Sequence, residues 1–236
     1  MTNGLYGHED TNYFFVANDK MKNYLISKNI PKNKVFVTGI PISSRFLKNY
    51  DKEKILDEFG LQNNKKTIIF FGGGEFGLGK AKTFEIFETL VKYFNDIQII
   101  AIAGKNEKMK LKFEKIVQEN NKQNYVKILE YTNKVPELMA ISDLVVSKPG
   151  GLTTSESLAS NLPMIIINPI PGQEEENAEF LEEKGIGIWI KKNDSPYEIF
   201  KNLFSNPEKL EEMKKNTEIL AKKHSTEDIC KIILSH

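Results

Sequence analysis

The chain has 236 residues, 40% of them hydrophobic, which is enough to bury a proper core in one large domain or in a domain and part of another. Thirty-three basic residues face 32 acidic ones, for a net charge of +1, and that balance gives no reason to expect nucleic acid as a partner. A single cysteine, Cys230, excludes an internal disulfide and suits a reducing cytosol; no apolar run approaches the roughly 18 residues of a membrane-spanning helix.

Short β-branched and aromatic runs alternate with longer amphipathic ones. Strands are predicted at 13–17, 34–38, 67–71, 97–103, 125–131, 143–147, 163–168 and 187–191. Several are almost continuously apolar, as in strands covered on both faces of a parallel sheet. Amphipathic helices are expected over 81–94 and 109–120, and three helices broken near Pro207 and His224 come after residue 192. The pattern reads as α/β, a doubly wound parallel sheet of six Rossmann-like strands from residue 67 onward, preceded by a short βαβ unit. TGIPISSRFLKNYDKEK (38–54), with Gly39, Pro41 and a charged run, reads as an interdomain linker. The implied divisions are 1–45, 46–222 and a last helix over 223–236. The opening MTNGLYGHEDTNYFF lacks the basic and apolar regions of a signal peptide, so the expected location is cytoplasmic, with any membrane contact peripheral.

If the six strands take the order 3-2-1-4-5-6, the first and fourth meet at the topological switch point, where ligands of such sheets bind. Both are followed by glycine-rich loops. FFGGGEFGLGKA (70–81) fits two templates, Gly72-x-Gly74-x-x-Gly77 and Gly74-x-x-x-x-Gly79-Lys80. The first needs an acid at the end of the second strand, but Ala103-Gly104-Lys105 stands there. The second needs a hydroxyl for magnesium, and Ala81 has none. What survives is a backbone-donating lid at Gly72, Gly73 and Gly74, with Lys80 either a solvated lysine or a phosphate contact.

Ser147-Lys148-Pro149-Gly150-Gly151 opens a helix after the fourth strand. Glycines admit an anion close to the backbone, and the helix start supplies free N–H groups. Lys148 and the hydroxyls of Thr153 and Thr154 add to a phosphate cradle; the alternative is a plain capped turn. Glu156, five residues after Gly151, either accepts from two ribose hydroxyls or merely stabilises its helix. After the fifth strand, Pro169, Pro171 and Gly172 stiffen a loop carrying Gln173, Glu174 and Asn177, which suits a sugar. Glu175 and Glu176 read as helix-stabilising acids. His8, His224 and His236 form no cluster with cysteine or acid, so no metal site and no cofactor is expected, and the catalytic base is not identified.

Together, SKPGGLTTSESLASNLPMIIINPIPGQEEENAEFLEEKGIGIWI and the earlier YFFVANDKMKNYLISKNIPKNKVFVTGIPI resemble the glycosyltransferases that include monogalactosyldiacylglycerol synthase and processive diacylglycerol glucosyltransferase. The resemblance implies a GT-B fold, no metal, and inverting transfer of a hexose from a UDP-sugar to a diacylglycerol-type lipid. It implies that Gly72–Gly74 and Gly150–Gly151 cradle the diphosphate, that Tyr131 and Thr132 lie against uracil, that Glu156 holds the ribose, and that Gln173, Glu174 and Asn177 contact the hexose. The family often has an arginine directly after the hinge motif; here Ser43 stands there, and Arg45 comes two residues later. Only the last βαβ unit of the family's acceptor domain precedes the hinge. The chain is therefore expected to supply the donor-binding half, reaching its lipid through a missing N-terminal domain or a partner subunit. A nucleotide-sugar-binding subunit inactive alone, or a UDP-sugar epimerase, are the alternatives.

Overall fold

The computed structural model describes residues 11–73 and 80–235. They fall into two compact units: one runs to Ile42 and resumes at Lys222, and the other is Ser43–Ala221.

In the smaller unit, β1 (Phe14–Val16) and β2 (Val35–Val37) pair in parallel around α1 (Asp19–Ser27). The side chain of Asn18 caps α1 by accepting from the Met21 N–H. Val16, Leu25 and Val35 form its buried core.

The larger unit begins with a 3-10 turn, Ser44–Leu47, and α2 (Lys52–Phe59). The alternation then runs β3 (Lys66–Phe71), α3 (Lys80–Tyr93), β4 (Ile97–Gly104), α4 (Glu107–Glu119), β5 (Val126–Glu130), α5 (Val135–Ala140), β6 (Leu144–Ser147), α6 (Gly151–Ala159), β7 (Met164–Ile167), α7 (Gln173–Glu183) and β8 (Gly187–Ile190), closing with α8 (Pro196–Phe204) and α9 (Pro207–Leu220). The last helix, α10 (Ser225–Leu234), belongs to the smaller unit again. Among the described residues no helix is long and apolar enough to cross a membrane.

Six strands form one parallel sheet in the order β5-β4-β3-β6-β7-β8, which is the doubly wound order expected from the sequence. Alternate residues of each strand feed opposite faces. Ile68, Phe70, Ile99, Ala101, Val146 and Ile165 join the core under α3, α4, α8 and α9. Ile69, Ile100, Val145, Met164 and Ile166 join a second core with α2, α5 and α7. Each fully buried isoleucine or phenylalanine contributes about 1.5–3 kcal/mol, so the unbroken apolar runs of β3, β4, β6 and β7 are what a sheet with two covered faces requires.

Two polar devices fix the amino ends of the strands. The Asp143 carboxylate accepts from the Thr67 N–H at 2.9 Å, the Asp143 N–H donates to the Thr67 carbonyl at 2.7 Å, and Lys214 Nζ donates to Asp143 Oδ1 at 3.0 Å. The buried Gln98 amide donates to the Gln62 carbonyl and to Thr67 Oγ1, and accepts from the Gln62 N–H. A buried amide left without such partners would cost about 1–3 kcal/mol.

The linker reading of 38–54 holds less far than its composition suggested. Phe46 and Tyr50 pack on the second core, and the Tyr50 hydroxyl donates to the Arg45 carbonyl at 2.8 Å. The aromatic side chains outweigh the charged run, so from Ser43 onward the segment belongs to the larger unit.

Candidate functional site at the carboxyl end of the sheet

β3 and β6 are neighbours whose succeeding helices depart to opposite sides, so the switch point opens beyond Phe71 and Ser147. At the β3 end, Gly72 and Gly73 are glycines for different reasons. A Cβ at Gly72 would lie 3.0–3.1 Å from Met109 and from the Phe113 ring, which is fully buried among Phe70, Phe84 and Phe87. The Gly72 N–H donates to the Ile102 carbonyl at 3.0 Å. The Gly72 donor, expected to face a phosphate, is thus engaged by β4. Gly73 has φ +93°, with no atom of the described residues within 4 Å of where a Cβ would stand, and that backbone disfavours any side chain. Gly74, Gly77 and Gly79 lie outside the described residues, as does the side chain of Lys80.

The β6 end builds a better-defined feature. Gly150 precedes α6 with extended ψ (φ −62°, ψ 149°), and no side chain among the described residues caps the helix. By contrast, Asn18, Asp51, Asn106, Ser195 and Asn206 cap α1, α2, α4, α8 and α9. The first intrahelical bond runs from the Thr154 N–H to the Gly150 carbonyl at 2.8 Å. The N–H groups of Gly151, Leu152 and Thr153 therefore have no partner among the described residues, and they carry the positive end of the helix dipole. Thr154 Oγ1 is buried and also without a partner there. Lys148 meets no acid among the described residues.

Glu156 stands on this helix, half-buried, with no cation or hydrogen-bond donor on its carboxylate among the described residues. Burial alone pushes its carboxyl above the usual glutamate value. A half-buried carboxylate without a partner among the described residues leaves its oxygens open to donors from outside.

α7 opens beside α6, also on a glycine (Gly172, φ +100°) and also without a side-chain cap. Glu174 Oε2 accepts from the Ile170 N–H at 2.7 Å, holding its own loop closed, while Oε1 comes within 3.8 Å of where a Cβ on Gly150 would be. Asn177 Nδ2 donates to the Pro149 carbonyl at 2.8 Å. Gln173 is exposed at the rim. Asn168, at φ +43°, donates to Thr83 Oγ1 on the first turn of α3. The structure thus brings Pro149, Gly150, Glu174 and Asn177 together.

Tyr131 and Thr132 lie elsewhere on the same edge, just past β5. The strand order places three interstrand spacings between β5 and β6, about 14 Å. The Tyr131 ring is 71% exposed, with Lys105 Nζ 5.8 Å from its centroid. Thr132 Oγ1 accepts from the Lys134 N–H and starts the turn into α5. Arg45 is committed elsewhere: its Nη2 donates to both carboxylate oxygens of Glu137, at 2.8 and 3.1 Å. Among the described residues no three His, Cys, Asp or Glu side chains group as a metal site would need.

A parallel sheet in this order, with a glycine-started helix uncapped among the described residues at its switch point, is a Rossmann-like doubly wound domain with an anion-binding helix start. Comparison with known proteins agrees. The glycosyltransferase family 28 C-terminal domain matches residues 67–231, and the monogalactosyldiacylglycerol (MGDG) synthase family matches residues 1–42. The chain belongs to glycosyltransferase family 28. It is 36% identical over 227 residues to the processive diacylglycerol beta-glucosyltransferase of Bacillus pumilus, covering 96% of this chain and 58% of that protein. It is 37% identical over 223 residues to the protein of that name from Staphylococcus epidermidis, covering 94% and 55%. In fold it resembles UDP-GlcNAc 2-epimerase from Neisseria meningitidis bound to UDP-GlcNAc, with a TM-score of 0.70 and 19% identity over 95% of this chain and 62% of that one. The chain spans little more than half the length of the curated relatives it matches.

Proposed function

We propose that the larger unit binds a UDP-sugar and that the chain supplies the donor half of an inverting, metal-independent hexosyltransferase acting on a diacylglycerol-type lipid. The observation that carries this is the pairing of N–H groups at Gly151–Thr153 with the half-buried carboxylate of Glu156, one turn further along α6, both without partners among the described residues. The first feature suits a diphosphate and the second a ribose diol. The curated relatives, named as diacylglycerol glucosyltransferases, supply the lipid and the sugar class.

In this reading the diphosphate lies at α6 with Lys148, Gly150, Gly151 and Thr153 around it, and Gly73 beneath. The exposed Tyr131 ring takes the uracil, with Thr132 beside it, and only a ligand as long as a nucleoside diphosphate touches both ends. Gln173 and Glu174 face the hexose. An acceptor hydroxyl attacks the anomeric carbon from the face opposite the leaving group. The bond to the β-phosphate oxygen breaks, its electron pair leaves with UDP, and the hydroxyl proton passes to a base on the acceptor side. This chain's part is electrostatic: N–H donors aimed at the leaving diphosphate stabilise charge as it develops.

The test is thermal denaturation with UDP, ADP or NAD, each in EDTA. UDP at a hundred times its dissociation constant should stabilise by about 2.7 kcal/mol, with little response to the other two. Tyr131→Ala should weaken UDP without changing the melting point of the free protein, because the ring is mostly exposed. A larger shift with NAD or ADP would sink the reading.

A further inference from the structure

Asn177 was expected at the hexose, yet its amide lies on the backbone of the neighbouring loop. Its Nδ2 donates to the Pro149 carbonyl at 2.8 Å, across 28 residues of chain. That carbonyl shares its peptide plane with the N–H of Gly150. The Pro149–Gly150 peptide is trans, and in a trans peptide the C=O and the N–H point in opposite directions from one rigid plane. Fixing the Pro149 carbonyl toward α7 therefore aims the Gly150 N–H away from α7. That N–H has no partner among the described residues. It stands immediately before the free N–H groups of Gly151, Leu152 and Thr153.

Among the described residues no other hydrogen bond holds this peptide. Proline contributes no N–H, and Gly150 has no Cβ to restrict it. A proline–glycine peptide can flip between two orientations that differ in which side carries the donor. The N-cap of α6 is a glycine with no side chain to bond its own loop, so the orientation of the Gly150 N–H rests on a contact from outside the loop.

Building on the UDP-sugar reading, we propose that Asn177 is a positioning residue. It locks the Pro149–Gly150 peptide so that the Gly150 N–H joins the α6 N terminus in facing the diphosphate. It acts through this peptide and not by reading the hexose. Sugar loop and phosphate loop are thereby tied: the helix that carries Gln173 and Glu174 also sets the phosphate donors.

Three ligands separate the possibilities. Affinities of wild type, Asn177→Ala and Asn177→Asp are measured for uridine, UDP and UDP-glucose by calorimetry. The expected result is that both variants lose roughly tenfold for UDP and for UDP-glucose alike, while uridine binding is unchanged. Asn177→Asp should lose at least as much as Asn177→Ala, since its carboxylate repels the carbonyl. The amide resonance of Gly150 in the free protein should shift in both variants, which reports the peptide even where binding is weak. Loss confined to UDP-glucose, with UDP at wild-type affinity, would make Asn177 a hexose contact and overturn the proposal. A parallel loss for uridine would mean general loosening and overturn it equally. Failure of the wild-type chain to bind UDP would remove the parent reading, and this one with it.

Discussion

Arg45 and Glu137 form an ion pair inside the larger unit, one guanidinium nitrogen reaching both carboxylate oxygens across 92 residues of chain. The hydrogen bond and the charge of Glu137 hold the Arg45 guanidinium above its ordinary value. The arginine nearest the hinge motif is therefore a fastening between the 3-10 turn and α5. Arg45→Ala or Glu137→Gln should lower the melting temperature by a few degrees, less in high salt because the pair is partly exposed, with UDP affinity unchanged. Calorimetry and denaturation on the same samples check both halves. A marked loss of UDP affinity in Arg45→Ala would return this residue to the phosphate.

Glu156 gives a pH dependence with two opposite signs. Burial raises its carboxyl above 4.5, so the folded chain holds that proton more tightly than the unfolded chain does. The stability this provides is present in acid and is lost as pH rises through the raised value. At neutral pH the free Glu156→Gln protein should therefore melt slightly above wild type, and the difference should vanish below the ordinary carboxyl range. Ligand binding runs the other way. An ionised Glu156 accepts from ribose hydroxyls, so wild-type UDP affinity should fall as pH drops through the raised value, and in Glu156→Gln it should be weak throughout. Melting curves and calorimetry at a series of pH values give both.

Gly72 and Gly73 are adjacent and predict different failures. Gly72→Ala drives a methyl against Phe113, a fully buried ring that cannot swing aside, and should cost about 1–3 kcal/mol of stability. Gly73→Ala meets no atom of the described residues and there pays only for its backbone at φ +93°, about 1–2 kcal/mol. If the β3 end lies under the diphosphate, Gly73→Ala should lose more UDP affinity for each degree of melting temperature than Gly72→Ala does. Urea denaturation paired with UDP titration ranks the two.

Much of this was written locally. The strand runs predicted the sheet because each is short, apolar throughout and bounded by turn residues; every one lands within about two residues of its observed ends. The order of strands came from their number and from two glycine loops needing a common crevice. The opening of α6 at Gly151 was readable because helix-start chemistry is contiguous in sequence. What could not be read depends on distant partners. Nothing near Arg45 announces Glu137, and nothing near Asn177 announces Pro149. The N–H of Gly72 was counted as free because its acceptor, Ile102, lies on a separate strand. Phe46 and Tyr50 were the missed signal in the presumed linker: two large aromatics in a charged stretch mark a segment that packs.

The pin between Thr67 and Asp143 sits at the foot of β3 and β6, while the glycine-rich loops sit at their heads. Five residues of β3 separate Thr67 from Gly72, about 17 Å of extended chain, which is beyond the distance at which substitutions usually interact. Robustness and ligand choice are thus held at opposite ends of the same two strands. The foot can be reinforced without retuning the head, and the head can change what it binds without loosening the foot.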